Sequence, residues 1–311
     1  MKKGKALRQG DTIGIVATSS PMQGNESLEK GVADLESLGY RVKLSDTCFE
    51  RYGQYLAGTP EHRARELNRM FADPEIDAVF AMRGGYGSPQ LLPLLDYDLI
   101  AENPKLFLGY SDITGLHIAL GKKASLATLH GPTISTPFVS GLHEVSRAAL
   151  LHTLSTNEPL GAFQNPAGEA IECLVPGKAS GQIVGGNLAL VTALMGTPYE
   201  LDTKGKLLFL EDINEEPYRI DRMLTQLALA GKLHDADGFL FGTWTRCNSA
   251  RYADGFSVKD IVNNIVVPLG KPTIWNLQVG HGETNIALPF GIQASLDAEH
   301  GSLVFEESLL G

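Results

Sequence analysis

Along the first half of the chain, short apolar runs alternate with longer stretches of helical spacing. Thr12 to Thr18 (TIGIVAT) predicts a strand, and Asn25 to Leu38 carries Leu28, Val32, Leu35 and Leu38 at helical spacing. Gly39 closes that helix, and Tyr40 to Leu44 resumes as a strand. Thr59-Pro60 opens a second helix, with threonine as cap and proline in the first turn, running to about Ala72. Asp77 to Met82 (DAVFAM) is the next strand and ends in Arg83-Gly84-Gly85-Tyr86-Gly87, while Lys105 to Tyr110 is another and ends in Ser111. Alternation of this kind predicts an α/β domain with a doubly wound parallel sheet. Both loops leave carboxyl ends of strands, where open α/β sheets place their ligand crevice.

After Gly131-Pro132 the pattern loosens through Thr136-Pro137, then gives a helix near His143 to Leu154 and a polar, Gly- and Pro-bearing stretch. The domain boundary is placed there: residues 1–157 form the first domain, 158–178 a linker and 179–311 a second, smaller domain. The second half offers strands at Lys206 to Glu211, Gly238 to Phe241, Thr273 to Val279, Asn285 to Asp297 and Ser302 to Glu306. Its one long helix, Pro217 to Ala230, puts Ile220, Met223, Leu224 and Leu227 on one face. A β-rich α+β domain is expected, and no internal repeat is visible.

A length of 311 residues suits two domains. The formal charge of −10 argues against nucleic-acid binding, which draws its affinity from clustered Lys and Arg. Cys48, Cys173 and Cys247 are far apart and fit no zinc or redox spacing, so reduced thiols in a cytoplasmic protein are expected. Met1-Lys2-Lys3 begins like a signal peptide, but Gly10-Asp11-Thr12-Ile13-Gly14 follows in place of an apolar core. No stretch reaches the length of a membrane span.

Ser111 stands where an apolar strand breaks into a helix. Two readings are open: a nucleophile whose neighbouring amide meets an oxyanion, or a cap for the helix starting at Asp112. The G-x-S-x-G elbow is not matched, because Ile113 holds the last glycine position. A serine nucleophile needs a base. His62, His143, His152, His234 and His300 lie in polar contexts and are expected at the surface, His117 projects away within the helix after Ser111, and His130 ends a strand on the crevice side as a pocket-lining or satisfied histidine. His281 is the outlier, in Val279-Gly280-His281-Gly282 after an apolar strand, although a Gly-rich turn with a passenger histidine would look the same. Leu207-Leu208-Phe209-Leu210 runs straight into Glu211, placing a carboxylate at the end of a buried strand; Asp212 is expected on the opposite face. Glu215 and Glu216 read as charge at a helix N-terminus. The loop 83–87 lacks phosphate-loop spacing and can instead give an amide to an oxyanion, with the Asp112 amide as second donor. Arg83 is a candidate for a substrate carboxylate or an ordinary ion pair, and Asn187, after Gly185-Gly186, for a cap or crevice-facing amide. No metal spacing is present, and no metal or cofactor is expected.

These motifs resemble the LD-carboxypeptidases, serine peptidases that include muramoyltetrapeptide carboxypeptidase and the microcin C immunity proteins. The match runs from Gly10-Asp11-Thr12-Ile13-Gly14-Ile15-Val16 through Arg83-Gly84-Gly85-Tyr86-Gly87, Gly109-Tyr110-Ser111-Asp112, Gly185-Gly186-Asn187, Leu210-Glu211-Asp212 and Gly280-His281-Gly282. Each motif alone is unspecific, and six in order are specific. The resemblance implies a Ser111 nucleophile, a His281 base and a Glu211 orienter, with the Gly85 and Asp112 amides as oxyanion hole. Arg83, Gly84, Tyr86 and His130 are then candidates for substrate contact. It further implies a class I glutamine amidotransferase-like N-terminal domain, a β-rich C-terminal domain, a homodimer, and release of terminal D-alanine from murein tetrapeptide in cell-wall recycling. The alternatives are a microcin C immunity-type hydrolase of aminoacyl-nucleotide analogues and, in another class, a non-catalytic small-ligand binder. One departure is Thr18 in Ala17-Thr18-Ser19-Ser20-Pro21, where proline is expected.

Overall fold

The structure, a computed structural model, describes residues 1–135, 141–249 and 254–311, so Thr136-Pro137 lies outside the described residues. The strands are β1 (Thr12–Val16), β2 (Arg41–Leu44), β3 (Ala78–Ala81), β4 (Leu106–Gly109), β5 (Thr128–His130), β6 (Gly161–Ala162), β7 (Glu172–Val175), β8 (Lys178–Asn187), β9 (Leu207–Ile213), β10 (Gly238–Thr245), β11 (Thr273–Trp275), β12 (Leu288–Phe290), β13 (Gln293–Asp297) and β14 (Ser302–Phe305). The helices that matter below are α1 (Glu26–Ser37), α2 (Pro60–Ala72), α3 (Tyr97–Glu102), α4 (Thr114–Lys123), α5 (Glu144–Ser155), α6 (Leu188–Ala193) and α7 (Pro217–Leu229).

A six-stranded sheet in the order β12-β5-β4-β3-β1-β2 forms the N-terminal domain, parallel throughout except for β12. Strands β1, β3 and β4 are buried along their whole length, as near-continuous apolar runs in a covered parallel sheet must be. Helix α2 starts as its sequence dictates: the Thr59 side chain accepts from the His62 amide at 3.2 Å, and Pro60 occupies the first turn. The chain leaves β1 toward β2 on one side and β3 toward β4 on the other, so the carboxyl ends of β1 and β3 form a topological switch point.

The second sheet has eight strands in the order β6-β14-β13-β8-β9-β10-β11-β7, with β8 to β11 parallel and the flanks antiparallel. Residues 158–178, expected to link the domains, carry β6 and β7 at its two edges. Two expected strands are revised. Thr273 to Val279 leaves the ladder after Trp275, where Asn276 takes φ +70°. Asn285 to Asp297 divides at Gly291, φ +84°: β12 pairs with β5 of the first sheet and β13 with β8 of the second, so one segment stitches the two sheets together. The three cysteines are free thiols, Cys48 and Cys247 buried and Cys173 exposed. Among the described residues, no helix is long and apolar enough to cross a membrane.

Candidate active site

Strand β4 delivers Ser111 through an extended Tyr110, and Ser111 itself takes φ +67°, a left-handed conformation that costs a non-glycine residue about 1–3 kcal/mol. A short 3₁₀ turn, Ser111–Ile113, then leads into α4. The tight approach depends on Gly109, where a β-carbon would lie 2.8 Å from Ile113 Cγ2 and 3.0 Å from Ala81 Cβ. The strained serine of an elbow is therefore present although Ile113 breaks the sequence pattern. Among the described residues the Ser111 hydroxyl makes no capping hydrogen bond, so the cap reading is not what the structure displays.

The glycine-rich loop after β3 packs against this serine. A β-carbon on Gly84 would come within 2.8 Å of Ser111 Cβ and 3.1 Å of its Oγ. Gly85 is exposed with φ +112°. Among the described residues neither the Gly85 nor the Asp112 amide is taken by a protein acceptor. The Asp112 side chain faces inward: its Oδ2 accepts from Ser19 Oγ at 2.6 Å and from the Ser88 amide at 2.7 Å, and its carbonyl accepts from the Ser88 hydroxyl. Arg83 is half-buried and donates to the Pro21 carbonyl at 3.1 Å; among the described residues it has no carboxylate partner. Tyr86 is exposed, its ring 5.9 Å from that of Tyr55.

On the facing domain, His281 Nδ1 and Glu211 Oε2 are 2.7 Å apart, and the carboxylate is fully buried, two residues before the end of β9. The loop that carries His281 is pinned on both sides, the Gly280 amide donating to Asn285 Oδ1 and the Gly282 amide to Thr243 Oγ1, each at 3.1 Å. Gly280 has φ +119°, and a β-carbon there would sit 2.5 Å from Glu211 Oε2. Asn187 caps α6 through its Oδ1, and its Nδ2 lies 3.4 Å from Glu211 Oε1 and 2.8 Å from Asp212 Oδ1. The Asn187 side-chain amide thus lies within hydrogen-bond reach of both carboxylates. Burial, and then the charge of Glu211, push the Asp212 carboxyl up to about 6.

The two halves meet at Tyr110, whose ring centroid is 4.8 Å from that of His281. They are also tied by the Asn187 amide, which donates to Thr114 Oγ1 at 3.0 Å in the first turn of α4. Among the described residues no hydrogen bond joins Ser111 to His281, and the imidazole Nε2 has no protein partner. Such contacts are often loose without substrate and tighten on binding.

Comparison with known proteins fits this geometry. A model of the LD-carboxypeptidase N-terminal domain matches residues 13–131, and one of the LD-carboxypeptidase C-terminal domain matches residues 180–296. The chain belongs to the LD-carboxypeptidase family. Among its relatives, a probable murein peptide carboxypeptidase of Bacillus subtilis is 39% identical, over 98% of this chain and 94% of its own. The murein tetrapeptide carboxypeptidase of Pseudomonas aeruginosa is 32% identical over 92% of each chain. The microcin C7 self-immunity protein MccF of Escherichia coli is 25% identical over 98% of this chain and 95% of its own. A solved structure of MccF with glutamyl sulfamoyl guanosine covers 99% of both chains with a TM-score of 0.90 at 22% identity, which shows the shared fold.

In this LD-carboxypeptidase-family chain, the histidines of α4 and β5, the elements that follow Ser111, are both buried. His117 is buried, with Nε2 2.8 Å from the Gly109 carbonyl and Nδ1 2.9 Å from Thr128 Oγ1, and burial lowers its pKa to about 4. His130 corrects an expectation. It is wholly buried among Tyr110, His117, Phe209 and Phe290, with its pKa held well below the usual value by burial, so it offers no face to a substrate. A strand-end position gave no means of telling an inward ring from one lining a crevice. The role of Asn187 beside Glu211 was equally invisible, since their contact joins neighbouring strands 24 residues apart.

Proposed function

We propose that this LD-carboxypeptidase-family hydrolase is a serine carboxypeptidase that releases terminal D-alanine from murein tetrapeptide during cell-wall recycling in the cytoplasm. The observation that carries the reading is the buried Glu211–His281 hydrogen bond beside a backbone-strained Ser111. The names of the Bacillus and Pseudomonas relatives support the murein substrate.

In the proposed reaction Ser111 Oγ attacks the carbonyl carbon of the L-to-D peptide bond while His281 Nε2 takes its proton. Glu211 holds the Nδ1–H tautomer and offsets the charge of the imidazolium. The Gly85 and Asp112 amides receive the oxyanion. Collapse breaks the C–N bond, and His281 returns the proton to the departing D-alanine amine. Water, deprotonated by His281, then attacks the Ser111 ester, releasing the shortened peptide and restoring the hydroxyl. An exopeptidase must also hold a terminal carboxylate, and the Arg83 guanidinium, which has no carboxylate partner among the described residues, suits that task.

A second reading, hydrolysis of an aminoacyl-nucleotide analogue, is favoured by the relationship to MccF. One assay separates the two: D-alanine release from murein tetrapeptide compared with turnover of an aminoacyl sulfamoyl adenylate. The proposal expects the first substrate to be preferred, and turnover of the nucleotide analogue alone would overturn it.

A further inference from the structure

Arg63 projects from α2 with no exposed surface, and among the described residues it forms no ion pair. Its donors go to four neutral oxygens: Nε to the Gly58 carbonyl at 3.1 Å, Nη1 to the carbonyls of Thr18 at 2.5 Å and Gly87 at 3.1 Å, and Nη2 to Gln90 Oε1 at 2.6 Å. Burying a guanidinium without a carboxylate partner is costly, so its retention calls for a return elsewhere. The negative charge of Asp112 partly offsets that cost. The acceptors are informative by position. Thr18 follows β1, Gly58 precedes α2, and Gly87 and Gln90 follow β3, so one planar fork fastens the loops on both sides of the switch point.

The loop that carries Gly85 hangs between two fixed ends. At one end the Ser20 amide donates to the Gly84 carbonyl at 3.4 Å, and Ser20 Oγ accepts from the Tyr86 amide at 3.1 Å. At the other end Arg63 holds the Gly87 carbonyl, and Asp112 holds the Ser88 amide. Gly87 has φ +128°, and a β-carbon there would lie 2.6 Å from Arg63 Nη1, so the loop is drawn directly onto the guanidinium. Gly85, exposed between these anchors, has no side chain of its own to hold it.

We propose that Arg63 is a positioning residue for the reaction: by clamping Thr18 and Gly87 it fixes the peptide that presents the Gly85 amide to the oxyanion. The inference rests on the serine-hydrolase reading above and adds to it a buried residue that touches neither substrate nor nucleophile. Arginine geometry is required, since a lysine supplies the charge but cannot reach all four acceptors.

The test is the rate at which a serine-reactive phosphonate labels Ser111 per folded molecule, with folding followed by near-ultraviolet circular dichroism. The phosphonyl oxygen occupies the oxyanion position, so the readout is independent of the natural substrate. Wild type is compared with Arg63→Ala and Arg63→Lys. Both variants should label about 10-fold or more slowly, on the scale of a displaced oxyanion donor. Millimolar guanidinium should restore part of the rate to Arg63→Ala. Folded variants that label at the wild-type rate, or guanidinium that raises only the folded fraction, would overturn the proposal. If Arg63→Ala does not fold, Gln90→Leu, which removes one acceptor, should slow labelling a few-fold, and an unchanged rate there contradicts the clamp. Wild type that does not label at all would instead overturn the serine reading, so the two failures are distinct.

Discussion

The His281 imidazole and the Glu211 carboxylate meet Nδ1 to Oε2 at 2.7 Å, and the carboxylate has no contact with solvent. A buried carboxylate in that position selects one imidazole tautomer and stabilises the ring when it gains a proton. Glu211→Gln keeps the size of the side chain and removes its charge. The variant is expected to keep its circular dichroism spectrum while kcat falls by about 10⁴-fold. Near-normal turnover would remove Glu211 from the mechanism.

Gly280 is held to glycine by conformation and by space, with φ +119° and a potential β-carbon 2.5 Å from Glu211 Oε2. Gly280→Ala should therefore lower stability by about 1–3 kcal/mol and displace His281 from its carboxylate. Chemical denaturation and D-alanine release check the two effects together. An alanine variant with wild-type stability and rate would show that the loop has more room than this geometry allows.

Asp212 gives a pH dependence of defined sign. Its carboxyl is pushed up from 3.8 to about 6, chiefly by burial and then by Glu211. The native state thus keeps a proton that the unfolded chain has already released, so the contribution of Asp212 to stability is intact below its unfolded pKa and is lost as pH rises through about 6. Relative to Asp212→Asn, wild type should lose roughly 2 kcal/mol between about pH 4 and pH 7. Urea denaturation across that range measures the difference, and parallel profiles would contradict it.

Arg83 donates to a backbone carbonyl and, among the described residues, has no carboxylate partner, which fits it to receive one from the substrate. Arg83→Leu should raise KM for a tetrapeptide with a free terminus by about 10- to 100-fold, the worth of a charge-assisted hydrogen bond, with a smaller change in kcat. A substrate ending in an amide should show no such difference. Equal losses on both substrates would make Arg83 a structural residue.

Much of the fold was legible because parallel strands buried on both faces read as unbroken apolar runs, and the breaks at Met82–Arg83 and Gly109–Ser111 mark where strands deliver their loops. Glu211 was legible for the same reason, standing at the end of four apolar residues. The return of β12 to the first sheet was not, since only Gly291 interrupts the apolar segment and its pairing with β5 joins residues far apart in sequence. Arg63 was hidden by its type: a charged residue on a helix reads as solvent-facing, and only tertiary structure brings four acceptors around it. The strain at Ser111 was concealed because a departure from G-x-S-x-G says nothing of φ once Gly109 has made room for Ile113.

Mapping a serine-reactive phosphonate on wild type and Ser111→Ala by mass spectrometry, with D-alanine release followed in parallel, shows whether the Ser111 hydroxyl is the nucleophile. One adduct is expected, on the peptide containing Ser111, with neither adduct nor release in the alanine variant. Equal labelling of both proteins, or undiminished release by Ser111→Ala, would remove Ser111 from the role of nucleophile.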